Sequence, residues 1–117
     1  MDWKQVEVNG YGYFVNKGYR VLIPVVSSEG YDFVAEKDGE FLRVNVKLAG
    51  LKDKKDKNSW AISASSGSSD NPRTKRHSVD VLLVWMPPLN RFIELDGDFL
   101  NHGNSKSRRV PYANYLS

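Results

Sequence analysis

The apolar positions change period along the chain, and each change marks an element. From Trp3 onward, Trp3, Val6, Gly10, Tyr13 and Phe14 recur at helical spacing and predict one buried stripe. Asp2 is placed to cap this helix, Gln5 stands three residues on to complete a capping box, and Gly18 supplies a left-handed stop. Gly10 and Gly12 weaken its middle by about 1 kcal/mol each relative to alanine. Tyr19 to Val26 then forms a nearly continuous apolar run containing VLIPVV, as in a strand covered on both faces of a sheet. Pro24 cannot donate to a ladder and marks an edge position or the strand's exit. Ser27, Ser28, Glu29 and Gly30 read as a turn.

Alternation takes over at Tyr31. The runs YDFVAEK and EFLRVNVKL flank Asp38-Gly39, a preferred pair for a two-residue hairpin loop. With that loop, opposed residues have numbers summing to 77, so Val34 faces Arg43, Glu36 faces Phe41 and Asp32 faces Asn45. Opposed residues share a face, as do alternate residues of one strand. Asp32, Asn45 and Lys47 therefore converge near the open end of the hairpin, and Leu42, Val44, Val46 and Leu48 take the opposite face as core.

Beyond the hairpin, LKDKKDKN is a polar loop, a short strand is expected around Ser59–Ala64, and SSGSSDNPRTKRH is a loop rich in turn formers and bases. VDVLLVWM at 79–86 predicts a buried strand, Pro87 to Asn90 a turn, and Arg91–Leu95 its hairpin partner. A short helix near Asp98–Asn101 and an irregular tail complete the chain. The order of helix, strand, hairpin, strand and hairpin gives an α+β fold with an N-terminal helix and a mixed central sheet. At 117 residues the expectation is a single domain at 1–117, with its core at about 1–95.

Composition narrows the chemistry. The 40% hydrophobic and 26% charged content is that of an ordinary globular protein, and no apolar run reaches the length needed to cross a bilayer. MDWKQVEV lacks the layout of a secretory signal, so an intracellular, cytoplasmic location is expected. Without cysteine there is no disulfide, thiolate zinc site or cysteine nucleophile. The net charge is +3 and the pI about 9.2, with the bases gathered late: Lys52, Lys54, Lys55 and Lys57, then Arg73, Lys75 and Arg76, then Lys106, Arg108 and Arg109. Such clusters serve a phosphate-binding surface or simply a solvated one.

An aspartate, an amide oxygen and an ammonium on one patch form the donor set that a hard cation and a phosphodiester require. Glu7, on the helix stripe near Trp3 and Gly10, adds a carboxylate that approaches the sheet. The same trio also describes an ordinary solvated sheet face, and spacing does not separate the two. His77 and His102 have no ligand-spaced partner, and the Ser-rich 63–69 stretch has no nucleophile elbow. Trp3, Trp60 and Trp85 read as core.

The stretch NKGYRVLIPVVSSEGYDFVAEKDGEFLRVNVKLAG resembles the core of the PD-(D/E)XK nuclease superfamily, closest to the homing endonucleases associated with group I introns. The resemblance covers about residues 5–50, with 79–95 similar to a later strand pair. It implies a restriction-endonuclease-like core in which Glu7 is the helix acid, Asp32 the central aspartate, Asn45 stands at the position of a Glu or Gln, and Lys47 is the motif lysine. Asp32 follows Glu7 by 25 residues and precedes Asn45 and Lys47 by 13 and 15. The implied activity is magnesium-dependent, sequence-specific cleavage of double-stranded DNA, with manganese able to substitute and Glu7, Asp32 and Asn45 as metal ligands. One site per chain implies a homodimer or tetramer, in a bacterial or phage-infected host. The loop at 65–77, with Arg73, Lys75, Arg76 and His77, and the tail at 101–117, with Lys106, Arg108 and Arg109, are the expected DNA contacts; Glu36 and Arg43 are weaker ones. Asn45 departs from the pattern, being one methylene shorter than Gln and uncharged. A junction-resolving nuclease and a non-cutting DNA-binding module on the same core remain the alternatives.

Overall fold

Helix α1 spans Trp3–Asn16 and begins at the expected cap: Asp2 accepts from the Gln5 amide at 2.9 Å, and Gln5 accepts from the Asp2 amide at 2.8 Å. It ends in a Schellman motif around Gly18, at φ 89, with the Tyr19 and Gly18 amides bonded to the Phe14 and Val15 carbonyls. The buried stripe is Val6, Gly10 and Phe14. Trp3 lies in the first turn and is 63% exposed rather than core, because the helix begins before the sheet that covers it. The structure is a computed structural model and describes residues 1–25, 30–53, 55–63, 79–101 and 107–115.

In chain order the strands are β1 Arg20–Leu22, β2 Phe33–Lys37, β3 Glu40–Leu48, β4 Gly50–Leu51, β5 Trp60–Ser63, β6 Val81–Met86, β7 Arg91–Asp96 and β8 Ser107–Arg109. The central sheet has the order β1-β2-β3-β6-β7 and is mixed, since β3 and β6 run parallel while the other neighbours are antiparallel. A second, three-stranded sheet has the order β4-β5-β8.

The α+β class and mixed sheet agree with the sequence expectation; two details differ. The run from Tyr19 to Val26 is not a covered strand. Only three residues pair, β1 lies at the sheet edge, and Leu22, Ile23 and Val25 are exposed, because Pro24 ends the ladder and no further strand lies outside it among the described residues. The tail is not irregular throughout: Ser107–Arg109 pairs with β5 in the register Ala61↔Arg109, Ile62↔Arg108 and Ser63↔Ser107. Strands this short carry too little alternation to be read from sequence.

The central sheet is covered on both faces. Toward α1 it presents Phe33, Ala35, Val44 and Leu83, packed with Phe14 and Tyr11. Away from α1, Leu82, Val84, Met86 and Ile93 pack with Ile62, Leu100 and Val110 around the second sheet. An ion-pair cluster clamps α1 to β7, where Tyr13 Oη and Lys17 Nζ both reach Glu94 Oε2 at 2.5 Å. Burial works to raise the Glu94 pKa, but the bonds from Lys17 and Tyr13 outweigh it and leave the carboxyl below its usual value. Among the described residues no helix is long and apolar enough to cross a membrane.

Candidate active site

The β2–β3 hairpin sets the geometry. Asp38 and Gly39 both adopt positive φ, 53 and 83, as a tight two-residue loop requires. The register then runs as the sequence dictates through Glu36↔Phe41 and Val34↔Arg43 to a last pair, Phe33↔Val44. There the ladder departs from expectation. The Asp32 amide donates to the Val44 carbonyl at 2.8 Å, so Asp32 does not pair with Asn45. Its carboxylate turns onto β3, and Oδ2 accepts from the Val46 amide at 2.6 Å. Val46 is the next β3 residue whose amide points toward β2, and the side chain of Asp32 takes the place of the carbonyl that would have met it. This end of the ladder, where the Asp32 side chain stands in for a backbone carbonyl, is here termed the notch.

Alternation distributes the other candidates around this notch. Val44 and Val46 face α1, and Val46 Cγ2 lies 3.1 Å from where a Cβ on Gly10 would stand. Asn45 and Lys47 are thus on the opposite face, aligned with Leu82 and Val84 of β6. Glu7 comes from α1 on the near face. Asp32 feels the charge of both sets, Glu7 from one and Lys47 from the other. Asn45 is 6% exposed, and its Nδ2 donates to the Gly30 carbonyl at 3.3 Å, tying Gly30, two residues before Asp32, to β3.

The electrostatics agree with this placement. Burial raises the Asp32 pKa above its usual value, the Val46 amide counteracts it, the Glu7 charge raises it further, and the Lys47 charge lowers it. Burial also depresses the Lys47 pKa, against the pull of Asp32. One participant escapes a reading of the sequence. Tyr11, half-buried one turn beyond Glu7, donates from Oη to Glu7 Oε1 at 2.9 Å. Its pKa is pushed up to about 12, by burial first, then by the bond and charge of Glu7 and by Asp32. The i, i+4 spacing of Glu7 and Tyr11 is the signal that could have found it.

Of the expected DNA contacts, Arg73, Lys75, Arg76, His77 and Lys106 lie outside the described residues. Arg109 is exposed on β8. Arg108 is not on the open surface: it is 6% exposed, and its guanidinium donates to the Leu100 carbonyl at 3.1 Å, because alternation along β8 turns it inward. Glu36 is paired with Arg20, and Arg43 with Asp80 through Nε at 3.0 Å.

A family model described as PD-(D/E)XK endonuclease matches residues 5–110, nearly the whole chain. The chain belongs to the PD-(D/E)XK endonuclease family. Its fold is similar to that of a bacterial homing endonuclease, I-Ssp6803I, with a TM-score of 0.69 and 17% sequence identity, covering 92% of this chain and 70% of that one. No curated protein matches it.

Members of this PD-(D/E)XK family generally use divalent metals, and the residues at the notch fit one. Two carboxylates, Glu7 and Asp32, repel each other across a partly buried gap, which a cation between them would relieve. Carboxylate oxygens are hard donors of the kind such a cation takes. Among the described residues no group of three or more His, Cys, Asp or Glu converges.

Proposed function

We propose that this endonuclease is a magnesium-dependent enzyme of sequence-specific, homing type that makes double-strand breaks in DNA, using Glu7, Asp32, Asn45 and Lys47. The observation that carries the reading is the Asp32 carboxylate at the end of β2, within electrostatic reach of both Glu7 and Lys47. Asp32 and Glu7 would anchor the ion, with the Asn45 oxygen as a neutral third donor. When bound, the ion supplies charge neutralisation at the phosphoryl oxygens and acidifies an attacking water. Lys47, held near Asp32 with a depressed pKa, stabilises charge beside the attacked phosphate. The single domain offers one such notch, so cutting both strands takes at least a dimer. The likeness in fold to a bacterial homing endonuclease supports the type, and an intracellular, intron- or phage-associated setting is part of the same proposal.

The test is incubation with plasmid DNA carrying an intron insertion site, with and without magnesium, beside a four-way junction of equal length. Magnesium-dependent breaks in the linear duplex are the expected result. Cleavage confined to the junction transfers the chain to the junction-resolving type.

A second reading, a DNA-binding module that does not cut, is favoured by one residue. Asn45 stands where the resemblance expects Glu or Gln, and it spends its amide nitrogen on Gly30. Asn45→Gln and Asn45→Glu decide between them: magnesium-dependent cutting by either shows a working notch, and none by both supports the binding module.

A further inference from the structure

We propose that Tyr11 is a positioning residue that holds the Glu7 carboxylate toward the Asp32 notch and so sets metal affinity; this rests on Glu7 and Asp32 holding the metal, as in the proposed function. The two residues are four apart on α1, one turn, so their side chains lie side by side. The Tyr11 hydroxyl donates to Glu7 Oε1 at 2.9 Å. In this bond the phenol is the donor and Oε1 the acceptor, so it engages one of the two carboxylate oxygens.

The anchor of Tyr11 matters as much as its hydroxyl. Its ring meets that of Phe33 edge-on, with centroids 5.0 Å apart and planes at 86°. Phe33 is fully buried, meets Phe14 edge-on in turn, and directly follows Asp32. The ring that orients the helix acid is thus packed on the neighbour of the strand acid, and the relative placement of the two carboxylates is fixed through Tyr11 and Phe33. Without the hydroxyl, Glu7 regains its rotamers and must be ordered by the ion itself.

The experiment uses the full chain with Tyr11→Phe, which keeps the ring and its packing on Phe33. Mn2+ binding is read from the spin-resonance signal of the free ion, and the Mg2+ requirement from the concentration giving half-maximal DNA cleavage. The expected result is about tenfold weaker Mn2+ binding, in the range for loss of a residue supporting a ligand. The half-maximal Mg2+ concentration rises in parallel, while the rate at saturating Mg2+ is unchanged. In a Glu7→Ala background the further Tyr11→Phe change has no effect on Mn2+ binding, since Tyr11 acts through Glu7. Unchanged Mn2+ affinity in Tyr11→Phe, or an equal loss with and without Glu7, overturns the inference alone. Undiminished Mn2+ binding in Asp32→Asn overturns the underlying site assignment as well.

Discussion

The Asp32 carboxylate accepts from the Val46 amide at 2.6 Å, occupying a ladder position that β2 leaves empty. This bond gives the side chain two tasks, closing the end of a ladder and facing Glu7 and Lys47 with its charge. The tasks can be separated experimentally. Asp32→Asn keeps an oxygen for the Val46 amide but removes the charge. We expect it to fold, bind DNA near wild-type affinity and lose detectable plasmid cleavage. Full cleavage by this variant would remove Asp32 from the metal site.

Stability should depend on pH through the same residue. Because the folded-state pKa of Asp32 is raised, the folded chain holds that proton more tightly than the unfolded chain does. The contribution is fully present below the usual value near 3.8 and is lost as pH rises through the folded value. Lys47 has a lowered folded pKa, so its contribution is present above the usual 10.5 and is lost as pH falls through the folded value. At neutral pH both charges therefore oppose folding. In thermal melts with chelator, Asp32→Asn should melt higher than wild type at pH 7, with the difference vanishing at low pH. A variant that melts below wild type at pH 7 would show that the ionised carboxylate favours folding instead.

How far the sequence reaches is seen at this residue. The Asp38-Gly39 loop dictates a register from local chemistry, and that register predicts every pair from Glu36↔Phe41 to Val34↔Arg43. It does not predict where pairing stops, since that depends on a side chain replacing a backbone carbonyl. Tyr11 is hidden for a related reason: Phe33, on which its ring packs, comes from a separate element 22 residues on. Arg108 reads as a surface residue because it stands in a basic run, and the three-residue strand that turns it inward has no detectable period.

Glycines should respond to alanine in opposite senses. Gly12 sits in α1 with nothing within 4 Å of where a Cβ would stand, and Gly12→Ala should stabilise by about 1 kcal/mol. A Cβ at Gly97 would run into the Val79 carbonyl and the Asp80 backbone, and Gly97→Ala should destabilise by about 3 kcal/mol. Urea denaturation of the two variants measures both.

Neighbouring arginines on β8 should likewise diverge. Arg109→Ala, at an exposed position, should leave the melting temperature unchanged and reduce the salt slope of DNA binding by about 1. Arg108→Ala removes a buried donor to the Leu100 carbonyl and should cost about 1–3 kcal/mol in stability. Binding titrations across a salt series, run beside thermal melts, distinguish them.

The parallel β3–β6 pair has a kinetic consequence. Val44 meets Phe33 across the hairpin, 11 residues back, but meets Val81 only 37 residues ahead. Closing the longer loop costs about 1 kcal/mol more in chain entropy, and the hairpin can assemble well before β6 arrives. A nascent chain that has not yet reached Val81 carries β3 with one flank bare. Those unpaired amides can be matched by any other extended chain. Synthesis of this protein thus passes through a stage in which the strand bearing Asn45 and Lys47 presents an open edge.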